Sequence, residues 1–404
     1  MSWSKTTIGK VATVVTKGTT PTTYGMPFTD SGVNFIKAEA LNGDSSLDWS
    51  GFTHIAESTH EKLKRSILAE NDVLITIAGA QVGRCGIVRS EHLPANTNQA
   101  VGIIRVDSNL VVPSFVYYHL KNPKTFQMCQ GIGGQAAQPN INLEMLKGFD
   151  LPLPDRKSQV AITDILSAYD DLIENNRRRI GLLEEAARLL YREWFVYFRF
   201  PGHEHVEITN GLPEGWEHRT LGEIADTNLE SYRASELPEE INYVDISSVE
   251  RGRIISKSRL VSSEAPGRAR RRAKDGDVIW SNVRPNLRAY SMILSPEDND
   301  VFSTGFTVLT ARDVPFVWLY LFVTTDSFVG YLVNHATGAG YPAVRPDDFE
   351  RADVCVPPKS LLQSFQEATE PSFRLISQLE IQNQKLSEAR DLLLPRLMSG
   401  EIAV

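Results

Sequence analysis

Residues 156–197 read RKSQVAITDILSAYDDLIENNRRRIGLLEEAARLLYREWFVY, and residues 359–400 read KSLLQSFQEATEPSFRLISQLEIQNQKLSEARDLLLPRLMSG. A mostly apolar stripe runs through the first stretch in alternating steps of four and three: Ile162, Leu166, Tyr169, Ile173, Asn176, Ile180, Leu183, Ala187, Leu190 and Trp194. Adding 203 to each number gives the stripe of the second stretch: Phe365, Thr369, Ser372, Ile376, Leu379, Asn383, Leu386, Arg390, Leu393 and Leu397. This spacing is typical of a coiled-coil seam. The sequence therefore predicts two long helices, one after each half of the chain.

The repeat extends into the segments that precede the helices. Residues 7–12 match 220–225 at an offset of 213, and residues 72–76 match 277–281 at an offset of 205. The offset shrinks in one direction, as expected when two copies differ by a few loop deletions. Short β-branched runs separated by Gly, Pro, Asn and Asp predict strands and turns in each copy. We therefore predict a mixed α/β (α+β) fold: two domains related by a pseudo-two-fold axis and joined by two long antiparallel coiled-coil helices.

The ends of the helices carry their own signals. Ser360, followed three residues later by Gln363, predicts a capping box, and Pro371 predicts an early kink or interruption. Asp155 or Ser158 is the candidate cap of the first helix. The predicted segments are a first domain at 1–155, a first helical spacer at 156–198, a linker at 199–216, a second domain at 217–358 and a second helical spacer at 359–404.

The helices also predict how they pair. Two copies related by a two-fold axis place their helices antiparallel, and positions that sum to 559 then face each other. In this register Asn176 faces Asn383, and these are the only asparagines of the two seams. Two amides in one layer can hydrogen-bond each other, whereas an amide that faces leucine is unsatisfied, at about 1–3 kcal/mol. We predict that this pair fixes the register; the alternative is that each asparagine lies at a solvated edge.

The composition limits the classes of protein. The 404 residues are 42% hydrophobic and 23% charged, which is typical of a folded chain with more than one domain. The net charge of −8 gives no global attraction to nucleic acid, so DNA contacts must come from local patches or from a partner. The three cysteines lack CxxC spacing, which argues against disulfides and zinc. Without a signal peptide or a long apolar run, we expect a cytoplasmic protein without membrane contact.

The motifs of common active sites are missing. The sequence contains no GxxxxGK[ST] loop, no HExxH and no GxSxG. His203 and His205 form at most half a metal site, and a solvated loop is the favoured interpretation. Cys85 follows Arg84 without a nearby acid or histidine, which favours a structural thiol, and the acidic pair at 170–171 is predicted to form a solvated face. We therefore expect no intrinsic catalysis, no metal and no cofactor.

Loops after the central strands carry side chains that suit DNA. Arginine reads guanine, and asparagine or glutamine reads adenine, through paired hydrogen bonds in the major groove. The basic run at 268–274 suits phosphate contacts. For any single residue the alternative is an ordinary surface position. The candidate DNA-binding residues are Lys37, Gln81, Arg84, Gln135, Gln138, Asn140, Arg268, Arg270, Arg271, Arg272, Arg284, Asn286, Arg288, Tyr341 and Arg345.

An ordered series of motifs resembles the specificity subunits of type I restriction–modification enzymes. The series covers nearly the whole chain: LPLP at 151–154, ILSAYDDLIENN at 165–176, REWFV at 192–196, LPEGW at 212–216, TLGEI at 220–224, STGF at 303–306 and LLPRLMSGEI at 393–402. The second helix departs from the tidier pattern, because Thr369, Ser372 and Arg390 occupy seam positions and Pro371 interrupts it.

The resemblance implies a non-catalytic subunit with two target-recognition domains, each reading one half of a bipartite double-stranded DNA site. The antiparallel helices would set the gap between the half-sites. Such a subunit would assemble with two methylation subunits, which bring S-adenosylmethionine, and with ATP-driven restriction subunits, into a DNA adenine methyltransferase and ATP-dependent endonuclease. An interaction scaffold whose coiled coil recruits helical partners without sequence-specific DNA binding is the alternative.

Overall fold

The structure is a computed structural model that describes residues 3–41, 47–132 and 140–404. It divides into two compact units. Unit 1 contains Met1–Arg178 and Glu380–Val404, and unit 2 contains Arg179–Leu379. Both boundaries fall inside the long helices, so each unit combines one globular half of the chain with parts of both helices.

The first half alternates short strands and helices before one long helix. Its elements are β1 (Ser4–Thr7), α1 (Ile8–Val11), β2 (Ala12–Lys17), β3 (Val33–Ile36), β4 (Phe52–Ile55), α2 (Glu57–Lys62), β5 (Val73–Thr76), β6 (Cys85–Ile87), β7 (Ala95–Thr97), β8 (Val101–Val106), α3 (Pro113–Lys121), α4 (Pro123–Gly131), α5 (Leu143–Lys147), β9 (Asp150–Leu153) and α6 (Arg156–Tyr191). A π-helical turn at Arg192–Val196 continues α6.

The strands of unit 1 form two main sheets. An antiparallel sheet has the order β2-β8-β5-β6, a second sheet has the order β4-β3-β7 with β3 parallel to β7, and β1 pairs with β9. Strand β5 is buried at every position because it packs on both faces. Val73 and Ile75 enter the core formed with α3, whereas Leu74 enters a separate core with β3 and β7. This two-sided burial explains the continuous apolar run in the sequence.

The second half repeats most of this order and adds several short strands. Its elements are β10 (Ile208–Thr209), β11 (Leu212–Pro213), β12 (Glu217–Thr220), α7 (Leu221–Ile224), β13 (Ala225–Thr227), β14 (Glu240–Val244), β15 (Val249–Glu250), β16 (Arg253–Ile254), β17 (Ser258–Val261), β18 (Ala269–Arg271), β19 (Val278–Ser281), β20 (Tyr290–Met292), β21 (Asp300–Ser303), β22 (Phe306–Ala311), α8 (Phe316–Val323), α9 (Asp326–His335), α10 (Pro346–Glu350), β23 (Asp353–Val356) and α11 (Lys359–Met398).

The sheets of unit 2 have the topology of unit 1, with one additional strand, β18, in the second sheet. One sheet has the order β13-β22-β19-β20, the other has the order β17-β14-β21-β18 with β14 parallel to β21, and β12 pairs with β23. Strand β19 also faces two cores, with Val278 and Trp280 on one side and Ile279 on the other. The predicted duplicated α/β fold is therefore confirmed at the level of strand order.

The starts of the long helices differ from each other. Asp155 caps α6, because its carboxylate accepts a hydrogen bond from the Ser158 backbone N–H at 3.1 Å. The predicted capping box at Ser360 is wrong, since α11 already begins at Lys359 and Gln363 donates instead to Glu367 at 3.0 Å. A proline directly before Lys359 disfavours helix further upstream, so the helix begins immediately after it.

Pro371 does not interrupt α11, contrary to the prediction. The helix is continuous from Lys359 to Met398. Pro371 is exposed, so water can satisfy the carbonyl group that its missing N–H leaves free. The seam stripe is correspondingly complete, and all twenty seam positions of the two helices are buried or half-buried.

The helices run antiparallel in each unit. In unit 1, Asn176 hydrogen-bonds Asn383 at 3.0 Å and Asp170 contacts Arg390 at 2.6 Å. In unit 2, the ring of Phe365 lies 5.7 Å from that of Trp194. The prediction of a solvated face at 170–171 is wrong for Asp170, whose side chain is 13% exposed, because Arg390 and a tyrosine of α3 partner it.

We expect His92 to make unit 1 sensitive to acid. Its Nδ1 accepts a hydrogen bond from the Arg89 backbone N–H at 2.9 Å, and its ring lies 5.2 Å from that of Trp49. Burial lowers the pKa of His92 below its usual 6.5, against a smaller opposing effect of Glu91. The unfolded chain therefore binds a proton that folded His92 resists. Its contribution to stability is present above pH 6.5 and is lost as pH falls through the folded pKa.

We expect the urea midpoint, followed by tryptophan fluorescence, to fall when the pH is lowered from about 7.5 to about 5.5. His92→Gln removes the titrating group and is expected to shrink that fall, whereas the exposed His205→Gln serves as a control and leaves it unchanged. An equal fall in wild type and His92→Gln would assign the acid sensitivity to other groups.

Candidate nucleic-acid interface

In unit 1 the loop between β5 and β6 closes into a compact turn. Gly83 N–H donates to the Thr76 carbonyl at 2.8 Å, and Ile141 N–H donates to the Ile77 carbonyl at 2.9 Å. Gly83 has a φ of +89°, and a Cβ there would lie 2.7 Å from the Cβ of Cys129, so only glycine fits. The loop is thus held against α4 at Gly83 and against the segment at 140–141 at Ile77 and Ala78.

Three candidate residues of unit 1 meet at this turn. Gln81 and Asn140 are exposed, Arg84 is half-buried, and a β-bridge joins Ala78 to Asn140. Lys37 follows β3, and its ammonium lies 5.0 Å above the ring of Phe28.

Strand β7 connects Lys37 with this loop. Because β3 and β7 are parallel, Lys37, which follows β3, lies at the end of the sheet at which β7 also ends. The Ala100 carbonyl beyond that end accepts a hydrogen bond from Ile77 N–H at 2.8 Å. Gln135 and Gln138 lie outside the described residues.

In unit 2 the corresponding loop is locked to the glycine-rich segment at 337–343. Arg284 N–H donates to the Pro342 carbonyl at 2.7 Å, and Val344 N–H donates to the Asn282 carbonyl at 2.9 Å. The Arg284 guanidinium stacks 4.5 Å from the ring centre of Tyr341, which is itself 72% exposed. These contacts hold an arginine and an aromatic ring together at the surface of the domain.

The backbone of this loop is unusual. Arg284 and Arg288 have φ values of +52° and +57°, in the left-handed region that residues with a Cβ rarely adopt. Such conformations persist where the surroundings over-determine them, and they cluster at binding sites. They turn Asn286 and Leu287 outward, and Leu287 is 62% exposed.

Arg288 differs from its exposed neighbours. Its guanidinium donates to the Asp326 carboxylate at 2.5 Å, and this hydrogen bond lowers the pKa of Asp326. Arg288 is half-buried, so it joins the loop to α9 rather than facing outward. Sequence reasoning missed Leu287, although an apolar residue between Asn286 and Arg288 in a predicted turn was a usable signal.

The basic run at 268–274 does not form one patch. Arg272 and Lys274 both bind Glu230, at 3.1 and 2.5 Å, and Arg271 donates to Ser231 at 3.0 Å. Arg270 donates to the carbonyl of Ala269 at 2.6 Å. Glu230 therefore neutralises part of the charge that the sequence suggested.

Arg268 is linked to the loop through the segment at 304–305. It is exposed, and its carbonyl accepts a hydrogen bond from Thr304 N–H at 2.8 Å. The next residue, Gly305, accepts from Asn282 N–H at 2.9 Å. Arg345 is exposed and precedes α10, where its N–H donates to the Asp348 carboxylate at 2.8 Å.

Each unit thus presents amide, guanidinium or ammonium groups near the end of the sheet at which its two parallel strands finish. The two sets differ: unit 1 offers Gln81, Arg84 and Asn140, whereas unit 2 offers Arg284, Asn286 and Tyr341. Such side chains form paired hydrogen bonds with base edges in a major groove. The arrangement suits two different DNA sequences, one for each unit.

Among residues 3–41, 47–132 and 140–404, no group of three His, Cys, Asp or Glu side chains is placed to hold a metal ion. Burial raises the pKa of Cys85 to about 12, so its thiol is not a nucleophile at neutral pH. In the same described part of the chain, no single helix is both long enough and apolar enough to cross a membrane. Helices α8 and α9 meet these two criteria only when they are taken together, and they are bent by 60° relative to each other.

Residues 2–185 match the family model of the type I restriction modification DNA specificity domain. The chain is 25% identical to the type I restriction enzyme MjaIX specificity subunit of Methanocaldococcus jannaschii, over 98% of this chain and 92% of that protein. It is 31% identical to the type I restriction enzyme EcoBI specificity subunit of Escherichia coli, over 43% of this chain and 36% of that protein.

A crystal structure of the type I restriction-modification system S subunit from M. genitalium has the same fold. The TM-score is 0.59 at 16% sequence identity, and the alignment covers 98% of this chain and 96% of that chain.

Proposed function

We propose that this chain is a specificity subunit of a type I restriction–modification system and that each of its halves reads one half of a bipartite double-stranded DNA site. The helices fix the spacing of the half-sites and dock two methylation subunits, which bring S-adenosylmethionine. Restriction subunits supply the ATP-driven motor and nuclease. The assembled complex, in the cytoplasm, methylates adenine and cleaves DNA, while this chain contributes recognition and no catalysis.

This proposal rests on one observation: the same loop arrangement occurs in both units. Both units place a strand-following loop against a second segment, through the Ile141 N–H and the Ile77 carbonyl in unit 1 and through the Val344 N–H and the Asn282 carbonyl in unit 2. The frame is the same, whereas the exposed side chains differ. A repeated frame with different side chains is expected when two domains bind DNA in the same manner but read different bases. The predicted domain limits, 1–155 and 217–358, are part of the proposal.

The helices offer a surface for the methylation subunits. A second row of apolar residues runs along α6 beside the seam, and each of its members directly precedes a seam residue in the sequence. In unit 1 it includes Ile165 and Leu172, which are 37% and 38% exposed; in unit 2 it includes Leu182 and Leu189, which are 60% and 42% exposed. Exposed leucines repeated along a helix mark a partner surface. We assign the coiled coil's outer face to partner helices, which bury an apolar stripe in this manner.

An exchange of the first domain tests the proposal. Residues 1–150 are replaced by the matching region of a related specificity subunit, and the chimera is expressed with the methylation subunits. Methylome sequencing is expected to show one half of the methylated sequence changed and the other retained. A change of both halves, or of neither, contradicts the modular assignment. Exchange of a part of the linker at 199–216 is the matched control and leaves the sequence unchanged.

A further inference from the structure

The seam of unit 1 contains a charged layer. The Asp170 carboxylate accepts hydrogen bonds from the Tyr118 hydroxyl at 2.9 Å and from the Arg390 guanidinium at 2.6 Å, and the Lys121 ammonium lies at 3.4 Å. Arg390 is 3% exposed and also binds the neighbouring Asp391 at 2.8 Å. Asp170 is on α6 and Arg390 is on α11, so the ion pair joins the two helices.

The same layer of unit 2 is apolar. An offset of 203 places Phe373 at the position of Asp170, and the reverse offset places Ala187 at the position of Arg390. Phe373 and Ala187 are 3% and 4% exposed and belong to one hydrophobic core. A large ring opposite a small side chain thus replaces the ion pair.

The helix beneath this layer changes with it. An offset of 202 aligns α8 with α3, so that Val323 replaces Lys121 and Tyr320 matches Tyr118. The ring of Tyr320 lies 5.6 Å from that of Phe373, edge to face, where Tyr118 binds a carboxylate in unit 1. The difference between the units is therefore a coordinated one.

The asparagine layer is asymmetric in the same way. Asn176 Nδ2 donates to Asn383 Oδ1 at 3.0 Å in unit 1. The positions that correspond to this pair by the offset of 203 are Leu379 and Ile180, in unit 2. The Asn176 side-chain oxygen is buried without a hydrogen-bond partner among the described residues, so this layer is not optimised for stability.

We propose that these layers select the partner of each helix, so that α6 pairs with α11 and not with α6 of a second copy of this chain. In an antiparallel pair of two α6 helices in the same register, Asp170 meets Ala187 of the second copy. Asn176 meets Ile180 of the second copy. The buried Asp170 carboxylate loses its Arg390 partner and the buried Asn176 amide loses Asn383, and each loss occurs twice by symmetry.

A pair of two α11 helices is disfavoured in the same manner. Arg390 meets Phe373 of the second copy, so the buried guanidinium loses the Asp170 carboxylate and two large side chains are crowded together. Asn383 meets Leu379 of the second copy. Replacement of a whole buried ion pair by apolar residues is often neutral or stabilising, whereas removal of one partner is costly. The layers therefore contribute pairing specificity rather than stability, and this inference does not depend on the proposed function.

A permutation of the asparagine layers tests the pairing rule in the full chain. Leu379→Asn with Asn383→Leu moves the amide of α11 by one step and keeps the composition. Asn176 and the new amide then both face apolar residues, and we expect the folding equilibrium constant in urea to fall about tenfold or more. Adding Asn176→Ile and Ile180→Asn realigns the amides and is expected to restore it to within about threefold. Failure of the second pair of changes to restore stability overturns the proposal.

A second experiment removes the charged layer. Asp170→Phe, Arg390→Ala and Lys121→Val together give unit 1 the residues of unit 2. The chain is refolded at protein concentrations from about 1 μM to about 1 mM. The upper limit approaches the effective concentration at which two linked segments of one chain meet each other. Light scattering gives the dimer fraction. We expect this fraction to rise above wild type with concentration. A folded variant whose dimer fraction equals that of wild type throughout contradicts the proposal.

The control for this experiment is Arg396→Ala, which removes an exposed arginine of α11 that binds Glu401 at 2.8 Å. It is expected to leave the dimer fraction of wild type unchanged. If the triple variant does not fold, the permutation of the asparagine layers alone decides the question.

Discussion

Replacing Arg284 by alanine is expected to weaken binding of the cognate DNA by the assembled methylation complex about 5- to 150-fold, the range of about 1–3 kcal/mol for one bidentate contact with a base. Arg284 is exposed, and its guanidinium stacks on Tyr341 and donates to the Gly340 carbonyl at 3.4 Å, so it needs little ordering on binding. Binding of a duplex that carries the methylated sequence, compared with a scrambled duplex, measures the effect.

Two further variants sharpen this prediction. Arg284→Lys keeps the charge but loses the planar fork, so sequence preference at the second half-site is expected to fall more than binding of scrambled DNA. Arg259→Ala removes another exposed arginine of unit 2, which binds Glu240 at 2.6 Å across two strands, and is expected to leave preference unchanged. Retention of full preference by Arg284→Ala would remove this residue from the recognition surface.

Lengthening both helices by seven residues is expected to abolish methylation of the original site and to create a site with a longer gap. The insertions belong between Arg178 and Arg179 and between Glu380 and Ile381, which face each other in the register of the asparagine pair. Seven residues preserve the seam and add about 10.5 Å. This length corresponds to about three base pairs at 3.4 Å each.

Methylome sequencing of cells that express the lengthened chain provides the measurement. Insertion into α6 alone is the control, because it breaks the register of the seam and is expected to destabilise the chain instead of moving the site. Continued methylation of the original sequence by the doubly lengthened chain would show that the helices do not set the gap.

The sequence predicted the repeated parts of the fold well, because periodicity is a local property. The seam stripes, the strands β5 and β19 and the helix pairs α3 and α8 all follow from spacing and burial within a short window. The Ser360 and Pro371 predictions were wrong because they depended on the exact start of the helix and on the solvent exposure of one residue. The helix starts one residue before Ser360, and solvent at the exposed side of Pro371 tolerates a missing hydrogen bond.

The candidate interface was harder to predict, because its geometry comes from contacts distant in sequence. The partner of Arg284 is 58 positions away at Pro342, and Arg288 is withdrawn by Asp326, which lies on another helix. The partial neutralisation of the basic run likewise depends on Glu230, about 40 residues earlier in the chain. Composition shows which side chains are present, but only packing decides which of them remain at the surface.

The division of the chain into units has a consequence for its synthesis on the ribosome. Unit 2 is one continuous stretch, Arg179–Leu379, whereas unit 1 needs residues 380–404 to complete its core, with Leu394, Leu397 and Met398. The half that is translated first is thus finished after the half that is translated second. The apolar face of the first half therefore stays exposed while some two hundred further codons are translated, and chaperones have access to it during that period.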